Sequence, residues 1–304
     1  MQNPINSALN VLGRIRRRIF SPVRAEDPVG RVRDFKTSYW QSQASANVFM
    51  DKSNAGKAPD AAIMDGVVNE FFLAHCAPGS RVLDLGCGHG IVSRFLARHG
   101  LRVTACDISS AMLEALAPDA RELGIEIRRG DAHQVPAKDG EFDAVTARMF
   151  VGHFPDWPDI VREMARCCRP GGRILFDFTS KENADFGRVH GRHSCSFSTS
   201  PELNGKGTHP GCYFAEVDRD ALEQVCARLG LRLIERAPTT FFIDNRLMGP
   251  CLGTDRFQAY QNRAIEFFGD PKVREFVIWF EQTVVQHMPP WMTYYNCVAL
   301  EKPA

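Results

Sequence analysis

The chain has 304 residues, of which 44% are hydrophobic and 24% are charged. This composition is ordinary for a globular protein and argues against wholesale disorder. With a formal net charge of +1, the protein does not have the strongly basic overall charge that attracts nucleic acid. The sequence contains no apolar run of 18 residues and no secretory leader in its first 24 residues, so we expect a cytoplasmic protein without a membrane-spanning helix.

Residues 1–34 are interpreted as a basic amphipathic extension. Its apolar residues between Ile5 and Ile19 fall on one helical face, and arginines surround them. Such a segment could lie on an anionic membrane, which would place residues 1–24 at the inner membrane face. A partly disordered tail and a helix docked on its own domain are the alternatives.

Strands and helices alternate from about residue 60 onward. The pattern predicts strands over 81–85, 101–108, 125–129, 142–147, 173–178, 231–236 and 293–300. It predicts helices over 60–75, 91–99, 156–168 and 218–229, and one more from Ser109 or Ser110 that Pro118 should break or kink. Alternation of this kind is typical of parallel βαβ units, with helices on both faces of the sheet. We therefore predict an α/β domain over residues 35–304 with seven strands.

Two segments interrupt this alternation, at about 179–217 and 237–292. We interpret both as insertions near the ligand-binding edge of the sheet. The second segment contains two helical patterns rich in aromatic residues, at 253–288. We predict that they form a lid over a substrate pocket; an interface of a homodimer is the alternative, since such a face suits either role.

A glycine-rich loop follows the first predicted strand, with the sequence Val-Leu-Asp-Leu-Gly-Cys-Gly-His-Gly at 82–90. Glycine lets the backbone turn tightly and approach a ligand, and the next helix points its free N–H groups at the loop. The spacing Gly-x-Gly-x-Gly differs from the Gly-x-Gly-x-x-Gly of dinucleotide-binding folds. We therefore predict a cofactor site that does not take NAD.

Each of the first three predicted strands also carries an acid at its end: Asp84, Asp107 and Asp131. Ligands of open α/β sheets bind at this edge. An acid at Asp107 can accept from both ribose hydroxyls, and one at Asp131 from an adenine amino group. An acid beside the first glycine suits a positively charged part of the ligand.

The stretch from about 80 to 178 resembles the class I S-adenosylmethionine (SAM)-dependent methyltransferases. It is most similar to their small-molecule branch, which includes the ubiquinone and menaquinone biosynthesis enzymes. The segments that carry the resemblance are 82–90, 106–109, 130–136, 142–148, 153–156 and 169–175, and residues 294–302 fit the last strand of the family. The resemblance implies a Rossmann-like methyltransferase sheet of seven strands and SAM as the cofactor.

For the methionyl part of SAM, the resemblance implies contacts from Gly86, Gly88 and Gly90. Asp84 would place the ammonium group. Arg148, at the end of the fourth strand, would face the cofactor through its backbone.

For the adenosine part, the resemblance implies that Asp107 holds the ribose. Ile108 would pack on the adenine, and Asp131 would contact the adenine amino group with the N–H of Ala132 beside it. The aromatic pair at 39–40 precedes the core where the family often places a lid, although simple packing explains it equally well.

Methyl transfer requires alignment of the acceptor and exclusion of water, and a hydroxyl acceptor also needs a base. His153 is the first candidate base because it lies just past the fourth strand; packing or capping of the next helix is its alternative. His133 is the second candidate. The ten cysteines include no Cys-x-x-Cys pair, so we expect free thiols and no metal site.

The methyl acceptor is open at this point. The basic start and the aromatic helices favour a small-molecule or lipid-linked acceptor, for example a hydroxyl of an envelope saccharide. The resemblance favours a quinone, a polyketide or another secondary metabolite, methylated on oxygen or carbon. A SAM-binding scaffold without catalysis is the third hypothesis.

Overall fold

The structure is a computed structural model that describes residues 27–52, 59–189, 213–241 and 266–304, together with residues 259 and 263. The segment predicted to contact a membrane, 1–24, lies outside the described residues. So do residues 190–212 of the first insertion and most of residues 242–265 of the second.

The described chain alternates between strands and helices, as the sequence predicts. Its strands are β1 Arg81–Leu85, β2 Arg102–Asp107, β3 Glu126–Arg129, β4 Phe142–Ala147, β5 Cys168–Ser180, β6 Glu216–Val217, β7 Arg232–Thr239 and β8 Tyr295–Glu301. Its α-helices are α1 Pro28–Trp40, α2 Gln43–Lys52, α3 Pro59–Ala74, α4 Ile91–Arg98, α5 Ser110–Leu123, α6 Trp157–Cys167, α7 Lys181–Val189, α8 Arg219–Leu229 and α9 Pro271–Thr283. Single 3₁₀ turns occupy Val151–His153, Val285–His287 and Pro290–Met292.

All the described strands form one sheet in the order β3-β2-β1-β4-β5-β8-β7, and β6 pairs with the end of β5. Strands β1 to β5 are parallel, whereas β8 runs antiparallel to both β5 and β7. The predicted α/β class is confirmed. The sheet has eight strands instead of seven, because β6 has only two residues and is too short to give a periodic signal.

Helices cover both faces of the sheet because successive strand residues point to opposite sides. Leu83 and Val145 pack on one side with Ile160 of α6. Their neighbours Val82 and Ala144 pack on the other side, in a cluster with α3, α4 and α5. The buried strands β1, β2 and β4 therefore hold the carboxyl ends at this edge of the sheet in a fixed row.

The expected break at Pro118 is wrong. Helix α5 continues through Pro118 to Leu123 and ends at Gly124, which adopts a left-handed conformation with φ 67°. Proline removes one helical hydrogen bond, but Leu116 and Ala120 on either side of it are buried in the core. This packing keeps the helix intact.

Helix α1 belongs to the packed domain. Its start is capped by Asp27, whose carboxylate accepts from the Gly30 N–H at 2.8 Å. Val32 in its second turn is fully buried in the main core cluster. The sequence placed the boundary between extension and domain at residue 34, which falls inside this helix. The rest of the division into domains stays a prediction.

Candidate cofactor-binding site

A cleft of about 960 Å³, measured out to open solvent, lies at the carboxyl ends of β1 to β4. It is lined by residues 84–89, 91–92, 106–108, 112, 130–132, 148–150, 153 and 154, and by Thr37 and Trp40 of α1. Every residue predicted for cofactor or catalysis lines it except Gly90 and the second candidate base, His133. We call residues 84–88, 106–108 and 130–132 the motif wall, and residues 37, 40, 148–150, 153 and 154 the facing wall.

The glycine loop is held against β2 by its own backbone. The N–H groups of Gly86 and Cys87 both donate to the Cys106 carbonyl, at 2.8 and 3.1 Å. Gly86 has φ +66°, and a Cβ there would overlap the Phe150 ring. Gly90 lies behind the loop with φ +88°, where a Cβ would overlap Leu116 of α5. Gly90 therefore permits close packing of α5 instead of lining the cleft.

Asp107 is oriented by two backbone donors, the N–H groups of Gly88 at 2.9 Å and Ser109 at 2.8 Å. Burial raises the pKa of Asp107, and the backbone hydrogen bonds oppose that shift. Each carboxylate oxygen has further lone pairs, so Asp107 can still accept hydroxyl donors from a ligand.

Asp84 is more deeply buried, with 1% of its surface exposed. Its oxygens accept from the hydroxyls of Ser93 at 2.5 Å and Thr146 at 3.2 Å. Burial raises the pKa of Asp84 to about 6. These contacts connect β1, β4 and α4 directly beneath the loop. A contact between Asp84 and the ammonium group of a ligand stays a prediction.

Asp131 belongs to an ion network that the sequence did not reveal. One of its oxygens accepts from the His133 backbone N–H and lies 2.9 Å from His133 Nδ1. His133 Nε2 lies 3.2 Å from the Asp156 carboxylate, and Arg33 of α1 lies 3.5 Å from that same oxygen. Asp156, predicted to cap α6, makes no side-chain cap bond and serves this network.

The network argues against His133 as a base. Burial lowers its pKa, but the neighbouring carboxylates of Asp131 and Asp156 outweigh burial and raise it to about 9. The imidazole is therefore protonated at neutral pH and has no lone pair to accept a further proton.

His153 stands at the facing wall between two aromatic rings. Trp40 and Phe214 meet it edge-on, with ring centroids 5.5 and 5.0 Å away. Its Nδ1 lies 3.5 Å from the Lys36 ammonium. Burial, aided by the Lys36 charge, holds the pKa of His153 well below its ordinary value, so the ring is neutral.

Sequence reasoning missed Lys36, although only 5% of its surface is exposed. A usable signal was present: Val32, Lys36 and Trp40 are spaced by four residues and share one face of α1. That face is the one that packs on the domain.

The turn after β4 carries Arg148 and Met149. The Arg148 guanidinium pairs with Asp65 of α3. Met149 adopts φ +48°, a conformation uncommon for residues other than glycine, and its N–H donates to the Asp177 carboxylate at 2.5 Å. Burial raises the pKa of Asp177 to about 6, against the lowering by Arg148. An acid inside the apolar run of β5 was the available signal for Asp177.

The described part of the predicted lid packs away from the cleft. Val277 of α9 is buried with Ile63 and Val67 of α3, while Phe276 and Trp279 are 54% and 52% exposed. None of residues 266–292 lines the cleft. Apart from residues 259 and 263, the part of the predicted lid before residue 266 lies outside the described residues. The lid therefore stays a prediction.

The described residues show neither a metal-ion cluster nor a membrane-spanning helix. They contain no group of three or more His, Cys, Asp or Glu side chains that could hold a metal ion. In the same part of the chain, no helix is long and apolar enough to cross a membrane. The seven cysteines that it includes are free thiols.

The strand order, the antiparallel β8, the glycine loop and the acids at the first three strand ends define the class I fold of SAM-dependent methyltransferases. The comparison with known families agrees: residues 83–176 match the model described as "Methyltransferase domain". Over this stretch the chain is therefore similar to the class I SAM-dependent methyltransferases, as its motifs predict.

Among curated proteins, the chain is similar to "Ubiquinone biosynthesis O-methyltransferase" of Xanthomonas axonopodis pv. citri (strain 306). The two are 34% identical over 121 residues, which cover 38% of this chain and 51% of the relative. The chain thus spans about half the length of the curated relatives it matches.

Solved structures share the fold at low identity. Magnesium protoporphyrin IX methyltransferase from Synechocystis PCC 6803, solved with bound S-adenosylhomocysteine (SAH), matches with a TM-score of 0.55 and 14% identity, over 89% of this chain and 99% of that one. The [4+2]-cyclase SpnF matches with a TM-score of 0.51 and 18% identity, over 79% and 81%. These likenesses concern the fold alone.

Proposed function

We propose that this protein binds SAM in the cleft and transfers its methyl group to a small organic acceptor, with an aromatic hydroxyl as the first candidate. One observation carries the proposal: residues predicted separately from three strand ends line one cleft together with the glycine loop. SAM supplies the reactive methyl group on a sulfonium, and the chain has to bind, orient and exclude water.

The donor set of the motif wall fits the adenosine part of SAM. Asp107 is preoriented by Gly88 and Ser109 to accept ribose hydroxyls. Asp131 commits one oxygen to His133, and its side chain is still 45% exposed. Its second oxygen is therefore the one we assign to the adenine amino group, while Ile108 and Ala132 supply apolar surface at the same edge.

The facing wall fits an aromatic acceptor better than a sugar. It presents Trp40, Phe150, His153 and Phe154, and pockets for organic ligands are mostly apolar with a few polar groups. The curated relatives are named for O-methylation in ubiquinone biosynthesis, which supports a phenol-like acceptor. No comparison supports an envelope saccharide.

His153 is our candidate for contact with the acceptor. Its neutral ring can exchange a hydrogen bond with a hydroxyl, but Nδ1 already faces Lys36. A neutral imidazole has one basic lone pair, so while Nδ1 accepts from Lys36, Nε2 carries the ring proton and donates. His153 can act as a base only after Lys36 leaves Nδ1. Peripheral membrane contact through residues 1–24, homodimer formation and a lipid-linked acceptor stay predictions.

Two measurements test the proposal. Titration calorimetry should show binding of both SAM and SAH. Incubation with methyl-labelled SAM, a panel of catechols and phenols, and fractionated cell extract should place the label on an acceptor oxygen identified by mass. Absence of SAM binding defeats the proposal, whereas binding without transfer to any fraction supports the scaffold hypothesis. The cyclase that shares this fold shows why transfer itself must be measured.

A further inference from the structure

A buried guanidinium lines the β4 end of the cleft. Only 9% of the Arg148 side chain is exposed, and Arg148 is among the cleft-lining residues. Burial of a charge is costly unless partners compensate it. Asp65 of α3 supplies one partner, and its pKa is raised by burial and lowered by Arg148.

The compensation of Arg148 is incomplete. Its Nε is buried without a hydrogen-bond partner among the described residues. Asp177 is close enough to feel the charge, but one of its oxygens accepts from the Met149 N–H. Arg148 therefore keeps a donor that faces neither of its two acidic neighbours.

Helix α4 begins at the same end of the cleft. Ile91 and Val92 form its first turn and line the cleft. Its N-cap residue is Gly90, which has no side chain to accept from the first-turn N–H groups. An uncapped helix start favours an anion. The Arg148 guanidinium lines the same cleft, its charge acts on His89 just before the helix, and it has the same preference.

We infer that Arg148 binds the carboxylate of the methionyl part of the cofactor, assisted by the start of α4. The inference rests on the proposed function and deepens it. The adenosine-directed acids Asp107 and Asp131 lie at the ends of β2 and β3, whereas Arg148 follows β4 on the other side of β1. Acceptors for the adenosine donors and a cation for the carboxylate therefore stand in different parts of the cleft. The sequence predicted a backbone contact from Arg148; the structure assigns the contact to its side chain.

This assignment makes Arg148 a specificity-determining residue. It separates cofactors that carry an amino-acid tail from ligands that carry only adenosine. Asp65 is its positioning residue, because the ion pair holds the guanidinium toward α3 before a ligand enters.

The test combines a protein variant with a ligand variant, as in a double-mutant cycle. Wild type and Arg148→Met are titrated with SAH, with decarboxylated SAH, which keeps the ammonium, and with 5′-methylthioadenosine. In wild type, loss of the carboxylate should raise Kd on the order of tenfold or more, as for a hydrogen bond to a charged group. In Arg148→Met, SAH should weaken by a similar factor, while the other two ligands stay within about twofold of wild type.

Arg94→Met is the matched control. Arg94 donates to the His89 carbonyl and pairs with Asp119, and it does not line the cleft. Its loss should leave the ratio between SAH and decarboxylated SAH unchanged.

Three results have distinct meanings. Equal affinity of wild type for SAH and decarboxylated SAH overturns the inference, and this result needs no variant that must fold. Equal weakening of all three ligands in Arg148→Met also overturns it, since the guanidinium would then support the whole site. If wild type binds none of the three ligands, the proposed function fails as well.

Discussion

The two walls of the cleft are built in different ways. The motif wall is held by backbone N–H groups that donate to Asp107 and to the Cys106 carbonyl. The facing wall is held by side chains from distant parts of the chain, such as Lys36 and His153, which are 117 residues apart. The difference shows what short sequence motifs can predict. They predict contacts that the backbone of the motif itself makes, and they do not predict contacts between side chains that only packing brings together.

The largest expected effect comes from Gly86 in the motif wall. Gly86→Ala forces a Cβ into the Phe150 ring and into a left-handed conformation. We expect a loss of about 2–4 kcal/mol in the free energy of unfolding and no measurable SAH binding. Urea unfolding and calorimetry check both. Gly124→Ala is the control, because Gly124 is also left-handed but a Cβ there meets open space. It should lower the free energy of unfolding by only about 1–2 kcal/mol and leave SAH binding intact. Equal losses of stability in the two variants would refute the role of Phe150.

Next is Asp107→Ala, which removes the predicted ribose acceptor. SAM binding should weaken by about 1.5–3 kcal/mol, the range for hydrogen bonds to a charged group. The fold should survive, because Asp107 lies at a strand end and contacts only loop N–H groups. Calorimetry beside a thermal melt measures the two effects. Unchanged affinity would show that the ribose assignment is wrong.

The third prediction concerns the dependence of stability on pH, which differs in sign between His153 of the facing wall and His133 next to the motif wall. His153 is held neutral, so only the unfolded state gains its proton as pH falls below about 6.5, and stability should fall by up to about 1.4 kcal/mol per pH unit. His133, with its pKa raised to about 9, stabilises the fold fully below about 6.5 and loses that contribution as pH rises through 9.

Substitution separates the two histidines. His153→Gln should flatten the acid side of the stability profile, although His89, with a pKa lowered to about 4, keeps part of that slope. His133→Gln should flatten the alkaline side alone. Urea midpoints from pH 4 to 10 give both curves, and a variant that flattens the opposite side contradicts the assigned charge states.

The smallest effects are expected in the described part of the predicted lid, for Trp279 on α9 and for Trp291 in the turn before β8. Both rings are about half exposed, so Trp279→Ala and Trp291→Ala should each change stability by about 0.5 kcal/mol or less, with SAH affinity unchanged. Phe268→Ala, at a buried position just before α9, is the positive control and should lower stability by clearly more than either Trp substitution. Sedimentation of the Trp variants tests the dimer alternative: a shift from dimer to monomer would establish α9 as an interface.

The sequence predicted most of the fold, the residues of the motif wall and, in the facing wall, Arg148 and His153. Strands β1 and β4 were predicted to the residue, because fully buried strands appear as apolar runs bounded by loops. The acids Asp84, Asp107 and Asp131 were found for the same reason, since each interrupts or ends such a run.

The remaining features depend on tertiary contacts that periodicity does not report. Helix α1 was divided at residue 34 because its arginines resemble a tail, although Val32 is buried. The expected break at Pro118 rested on local helix propensity, and the packing of the neighbouring residues overrides that propensity. Lys36, Asp65 and Asp177 were missed because their partners lie far away in sequence. Only the fold brings them into contact with residues of the facing wall.

The place of β8 in the sheet has a consequence for how the protein is made. This strand is synthesised after every other described strand, yet it lies between β5 and β7, with six of its seven residues buried. Until it leaves the ribosome, the facing edges of β5 and β7 have no partner, and unpaired edges of this kind invite aggregation. The native sheet is therefore completed only after the glycine loop and the acids of the first three strand ends have been translated.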